Sequence, residues 1–246
     1  MVRHIRSTVL VFFVGVCAAP SLASVVMIGT RVVYPSGAKE RSLQFSNPDD
    51  VPSVVQIWID SGEADSTPDT ADAPFVVAPP IFRIEPKAGQ TVRLIFTGRD
   101  LPKNRESVFF INTLQIPAIN SADMDRNKML FLLRNRIKLF YRPDDIPGNA
   151  ETAFEQLRFS AARDGLDWRI TAKNDSAFYI SLIEVRIAGP DEDLALAPGM
   201  IAPKSTFDWR IKSEKSLASV MRSIHFKFIN EHGGENKAEL PLDPHP

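Results

Sequence analysis

The chain has 246 residues, 44% of them hydrophobic and 24% charged, with a formal net charge of -1 at pH 7. That length suits one large domain or two ordinary ones, and the composition is that of a globular chain with enough apolar residues for a core. A charge this close to zero supplies no basic field for condensing onto nucleic acid, so no nucleic-acid partner is expected.

The first residues read as an export signal. Arg3 and Arg6 give a positive start, Val9 to Ala19 is apolar apart from Gly15, Pro20 breaks the run, and Ser21-Leu22-Ala23 places small residues where a signal peptidase reads. Cleavage is expected after Ala23. A membrane anchor is the competing reading, but the run is about half of the ~20 residues that span a bilayer, so no membrane insertion is expected. A lipoprotein reading at Cys17 is weaker, because Val16 before it is bulky. Cys17 is the only cysteine and lies within this segment. The remaining chain therefore enters an oxidising space with neither a disulfide framework nor a cysteine nucleophile.

Strand signals follow in order. Val54 to Ile59, Thr91 to Phe96, Ser107 to Ile116 and Met129 to Tyr141 are runs rich in β-branched and aromatic residues. Ser46-Asn47-Pro48-Asp49-Asp50, Glu85-Pro86-Lys87-Ala88-Gly89 and Gly98-Arg99-Asp100-Leu101-Pro102 punctuate them as turns. No stretch holds a 3.6-residue apolar period over a dozen residues, and 19 prolines oppose long helices. Asp60, Glu63, Asp65, Asp69 and Asp72 fall in a polar stretch that reads as a solvated mobile loop.

Arg142-Pro143-Asp144-Asp145-Ile146-Pro147-Gly148-Asn149 has the composition of a linker. It divides the chain into 24–143 and 144–246. Gln156 to Ala161, Asp167 to Lys173, Phe178 to Ile187 and Ile224 to Asn230 are the clearest strands beyond it, while Glu192 to Trp209 resists parsing. The fold class expected is all-β, with two sandwich domains of about 100 residues each.

The segment before the linker is unusual. Met129, Phe131 and Leu133 share one strand face, and Leu130 and Leu132 make the other face apolar too. Two arrangements fit: a strand buried between layers, which the pattern alone favours, or an edge strand whose outward face awaits a partner.

Several blocks together resemble the periplasmic pilus-assembly (PapD-like) chaperone family. They are Gly29-Thr30-Arg31-Val32-Val33-Tyr34-Pro35, Asn47-Pro48, Val55-Gln56-Ile57-Trp58, Pro79-Pro80-Ile81-Phe82-Arg83-Ile84-Glu85-Pro86, Gly89-Gln90-Thr91-Val92-Arg93, Arg105-Glu106-Ser107, Asn112-Thr113-Leu114-Gln115-Ile116-Pro117 and Arg136-Ile137-Lys138-Leu139-Phe140-Tyr141-Arg142-Pro143. The second domain matches mainly through Asn230-Glu231-His232-Gly233. The resemblance implies two immunoglobulin-like sandwiches in a boomerang, located in the periplasm. Its partners would be pilus (fimbrial) subunits, completed by a donated edge strand, and an outer-membrane usher. A second copy would be able to cap the free edge.

By the same resemblance, Arg31 and Lys138 form the cleft pair that anchors the subunit's terminal carboxylate. Met129, Phe131 and Leu133 supply the donated side chains, and Glu106, Arg142 and Glu231 join the domains ionically, with Glu231 where the family usually has Asp. Pro79 and Pro80 match a loop where the family can carry a cis peptide. The short cysteine-free segment Pro117 to Lys128 resembles the branch that serves rod-like pili. Lys138 is five residues after Leu133, so a regular strand would point it to the opposite face unless a bulge or strong twist intervenes.

His4, His225, His232 and His245 lack zinc spacing, and neither a phosphate loop nor a Gly-x-Ser-x-Gly elbow occurs. Neither enzymatic activity nor a cofactor is expected. Asn174-Asp175-Ser176 has the pattern of a glycosylation acceptor. The competing reading is a secreted immunoglobulin-like adhesin or sugar-binding module. It would place a ligand in the loops at one end of a sandwich and would give no reason for Arg31 and Lys138.

Overall fold

The computed structural model describes residues 24–117, 131–189, 193–212 and 223–244, and these are strands and turns apart from one 3-10 turn at Ala153–Gln156. Nine strands build the first domain: β1 (Val26–Met27), β2 (Arg31–Pro35), β3 (Arg41–Ser46), β4 (Ser53–Asp60), β5 (Phe75–Ala78), β6 (Ile81–Ile84), β7 (Gly89–Phe96), β8 (Ser107–Pro117) and β9 (Leu133–Arg142). They form two layers, a sheet in the order β1-β3-β7-β5 and a sheet in the order β2-β9-β8-β4-β6. Each strand turns alternate residues inward. Leu43 and Phe45, Val55 and Ile57, Val92 and Leu94, Phe109 and Ile111, and Leu139 meet between the layers, as the two-residue strand period dictates.

The chain changes layers early. β1 pairs with β3, and three residues later β2 pairs with β9 in parallel, in the other sheet. The Ala78-Pro79 peptide between β5 and β6 is cis.

The second domain contains β10 (Leu157–Asp164), β11 (Asp167–Asn174), β12 (Ile180–Ile187), β13 (Leu194–Leu196), β14 (Gly199–Ile201), β15 (Ser205–Lys212), β16 (Ser223–Ile229) and β17 (Glu235–Pro244). One layer is β10-β11-β15. The other is β13-β12-β16-β17, with β14 beside β12. β17 joins the layers: Glu235 to Pro241 pair antiparallel with β16, and Leu242 to Pro244 pair parallel with β10. Trp168, Ile170, Ile180, Val185, Ile201, Trp209, Ile224, Phe226 and Leu242 fill the interior. The stretch that resists parsing in sequence is thus three short or medium strands around Pro198-Gly199 and Pro203-Lys204.

One sequence expectation changes here. Asp60 is not in a mobile loop: it closes β4 and is fully buried, because the loop after it folds back over the sheet. Asn174 is also fully buried. Its amide donates to the carbonyls of Phe178, Ile201 and Ala202, so the acceptor pattern around it is a turn cap and not a modification site.

Leu139 is fully buried where β9 crosses the first core. Leu139→Ala should cost about 2–5 kcal/mol, read as a lower urea midpoint for the first domain with the second domain's transition in place. Equal midpoints in the two proteins would show that this site collapses without penalty.

Candidate functional site

β9 is paired unevenly. Along its whole length it is antiparallel to β8, from Leu133 opposite Gln115 to Tyr141 opposite Ser107. On its other side β2 covers only Lys138 to Arg142. Leu133 to Ile137 therefore present an open edge among the described residues. Phe131 and Leu132 precede β9 without strand pairing. Phe131 is 69% exposed, Leu132 53% and Leu133 48%. Large apolar side chains on an unblunted edge are what soluble proteins normally avoid. Met129 lies outside the described residues.

The ladder between β8 and β9 shows no register shift. Leu133, Asn135, Ile137 and Leu139 thus share one face, and Arg134, Arg136, Lys138 and Phe140 share the other. Neither a bulge nor any other break reconciles Leu133 with Lys138; they simply occupy opposite faces.

Where β2 begins, Arg31 sits opposite Lys138 in the parallel ladder. Both side chains turn toward the second domain. Lys138 Nζ donates to Ser181 Oγ of β12 at 3.0 Å, and the Arg31 guanidinium lies 5.4 Å from the centre of the Phe140 ring. Burial pushes both cations below their ordinary pKa. Arg31 lowers Lys138 further, while Glu106 and Glu231 oppose the shift at Arg31. Arg31 Nε is buried and has no hydrogen-bond partner among the described residues. Two half-buried like charges with spare donors form a ready receptor for an anion. Ser181, which sequence reading passed over, is the second domain's contribution; a lone serine in an apolar strand carries no signal of that role.

Behind the pair the domains are joined by a charged triad. Arg142 Nη2 is 2.7 Å from Glu106 Oε1 and also contacts the Glu231 carboxylate, and Arg142 Nε donates to Glu106 Oε1 at 2.8 Å. Glu106 reaches across twice more: its backbone N–H donates to Ala177 O at 2.9 Å, and its Oε2 accepts the Tyr179 N–H at 2.8 Å. Burial raises the Glu106 carboxyl above its ordinary pKa, against the pull of Arg142 and the Tyr179 N–H. Arg142 in turn is held above its ordinary value: burial works against it, but the two glutamates prevail.

Glu231 is presented by the turn between β16 and β17. Asn230 Oδ1 accepts the N–H groups of His232 and Gly234, and Gly233 adopts φ 82° where any Cβ would strike Thr30.

Residues 24–147 match the family model "Pili and flagellar-assembly chaperone, PapD N-terminal domain", and residues 152–240 match "Pili assembly chaperone PapD, C-terminal domain". The chaperone protein FimB/FhaD of Bordetella pertussis is 33% identical over 88% of this chain and 87% of its own. The crystal structure of the Pseudomonas aeruginosa CupB2 chaperone superposes with a TM-score of 0.73 at 29% identity, covering 88% of this chain and 100% of that one. The Salmonella enterica SafB chaperone, solved with the SafA pilin, superposes with a TM-score of 0.72 at 25% identity, covering 91% and 99%.

Removing Arg142 would leave Glu106 as an unpaired buried charge. Arg142→Ala should cost about 3–5 kcal/mol of stability at neutral pH. Without its cation the Glu106 carboxyl rises further. A folded-state pKa above the unfolded one gives stability that is complete below the unfolded value and lost as pH climbs through the folded value. The deficit relative to the parent should therefore be smaller at pH 5 than at pH 8. Denaturation at both pH values checks this, and a pH-independent deficit would contradict it.

Proposed function

This chain belongs to the PapD-like pilus-assembly chaperones, and from that premise we propose that it holds incomplete pilus subunits in the periplasm by lending them the open half of β9. Residues 1–23 would direct export and be cleaved after Ala23. The division between the domains would fall at Arg142 to Asn149. An outer-membrane usher would take over the loaded complex, and in the absence of a subunit a second copy would cap the edge. The cycle is one of binding, with no catalytic group or cofactor in any step.

The observation that carries this reading is that one lane beside β9 is taken by β2 from Arg31 onward and, among the described residues, holds no strand before it. A strand added to Leu133–Ile137 enters that lane and stops where β2 starts, against Arg31 and Lys138. Run parallel to β9, it ends there with a carboxylate, which two cations attract. Run antiparallel, it begins there with an ammonium group, which they repel. Charge therefore selects the direction, and subunits that lack their last strand suit the lane.

Phe131 and Leu133, with Met129 before them, would fill the subunit's gap, each apolar side chain contributing about 1.5–3 kcal/mol when withdrawn from water. The carboxylate would accept charge-assisted hydrogen bonds from Arg31 and Lys138 and fix the register of the strand. The SafB structure, solved with a pilin, is the relative that this arrangement parallels.

The test is periplasmic co-expression with a candidate pilin, sought among the neighbouring genes, followed by co-purification and mass determination. The parent should yield a one-to-one complex, and Lys138→Ala should lose at least about tenfold of it, the order expected for a lost charge-assisted hydrogen bond. The free Lys138→Ala chain should melt no lower than the parent, since the like-charge pair is relieved. A normal yield of complex with Lys138→Ala would overturn the anchor. Phe131→Asp should likewise fail to retain the subunit, because the carboxylate would enter an apolar core unpaired; unimpaired retention would remove Phe131 from the donated face.

A further inference from the structure

The open half of β9 has one strand neighbour where a central strand has two, and yet its pairing with β8 is continuous. Its even-numbered side chains account for this. On the outer face of the sheet, Arg136 Nη2 donates to Asp60 Oδ1 at 2.6 Å, and its guanidinium lies 4.0 Å from the centre of the Phe110 ring. Arg134 donates to Asn112 Oδ1 through Nη2 at 2.7 Å and Nε at 3.2 Å, and it lies 4.9 Å from the centre of the Trp58 ring system. Both arginines are thus tied to strands one and two positions inward.

The loop between β4 and β5 closes the grid. Ser66, buried, donates to Asp60 Oδ2 at 2.7 Å and accepts Trp58 Nε1–H at 3.0 Å and Arg134 Nη2–H at 3.5 Å. Asp60 Oδ2 also accepts Asn112 Nδ2–H at 2.6 Å, and Oδ1 accepts the Gly62 N–H at 2.8 Å. Burial pushes the Asp60 carboxyl up, but the hydrogen bonds from Asn112, Ser66, Gly62 and Arg136 together hold it below its ordinary pKa, so it is ionised at neutral pH.

We infer that Asp60 and Ser66, acting through Arg134 and Arg136, are positioning residues that lock the register of the open half of β9 and keep it extended before any partner arrives. A slip of one residue would carry Leu133 and Ile137 to the outer face and bring Asn135 beside Asp60, exchanging an ion pair and a charge-assisted hydrogen bond for at most one hydrogen bond from a neutral amide. The lock sits wholly on the face opposite Leu133, so it leaves both the apolar side chains and the open edge free. Its purpose rests on the proposed chaperone role; its existence does not.

Amide hydrogen exchange on the full chain, free of any subunit, tests the lock through the amides that β9 donates to β8. In Arg136→Gln, exchange within Leu133–Ile137 should accelerate about tenfold or more, with Leu139–Arg142 and the second domain unchanged. Arg136→Lys, which keeps a cation within reach of Asp60, should recover most of the protection. Ser66→Ala loosens the same segment from the loop side and serves if Arg136→Gln fails to fold. Unchanged exchange in the folded variants, loosening spread evenly over the first domain, or a lysine no better than glutamine overturns the lock. Because no subunit is present, these outcomes stand apart from those of co-purification: a chain that captures subunits yet shows no local loosening keeps the chaperone role and loses the lock.

Discussion

The structure depends on a strand that has two different neighbourhoods along its length. The second half of β9 lies between β2 and β8 and sends Leu139 into a sealed core. The first half has β8 alone and carries exposed apolar residues to the end of the sheet. A strand paired on one side costs backbone order without the full return of hydrogen bonds. The rest of the first domain can be understood as meeting that cost. β2 ends the lane at a defined residue, and the outer face grips Arg134 and Arg136.

Buried charge organises the junction between the domains. Glu106 would be costly alone in so enclosed a place, and Arg142 and the Tyr179 N–H, both donating to its carboxylate, make it tolerable. Because Glu106 is met by Arg142 of β9 and by Ala177 and Tyr179 just ahead of β12, and Arg142 in turn by Glu231 of the β16–β17 turn, satisfying these charges ties the two domains together. The same junction brings Ser181 within hydrogen-bond distance of Lys138.

The free chain thus holds two features that a bound strand would relieve, an uncovered apolar edge and a pair of like charges. Both reduce the stability of the protein by itself, and under the proposed function one ligand would answer them together. This is the physical form of a trade between stability and function.

Much of this was legible from the residues. Alternation and turn residues are local properties, so they announced an all-β chain and most of its strands. The family resemblance singled out Arg31, Lys138, Glu106, Arg142 and Glu231, which the structure brings within one cleft. What stayed closed was everything decided by a neighbour far away in the chain. Asp60 reads as loop because its partners, Asn112 and Arg136, are over fifty residues distant. Met129 to Leu133 read from the pattern more readily as a buried strand than as an open one, since a two-residue period specifies the faces of a strand and says nothing about its edges. Ser181 has no meaning until β12 lies beside β9. The sequence alone determined which side chains share a face; only the tertiary structure decided which edge has no neighbour, because edges are set by strand order, and strand order is a property of the whole chain.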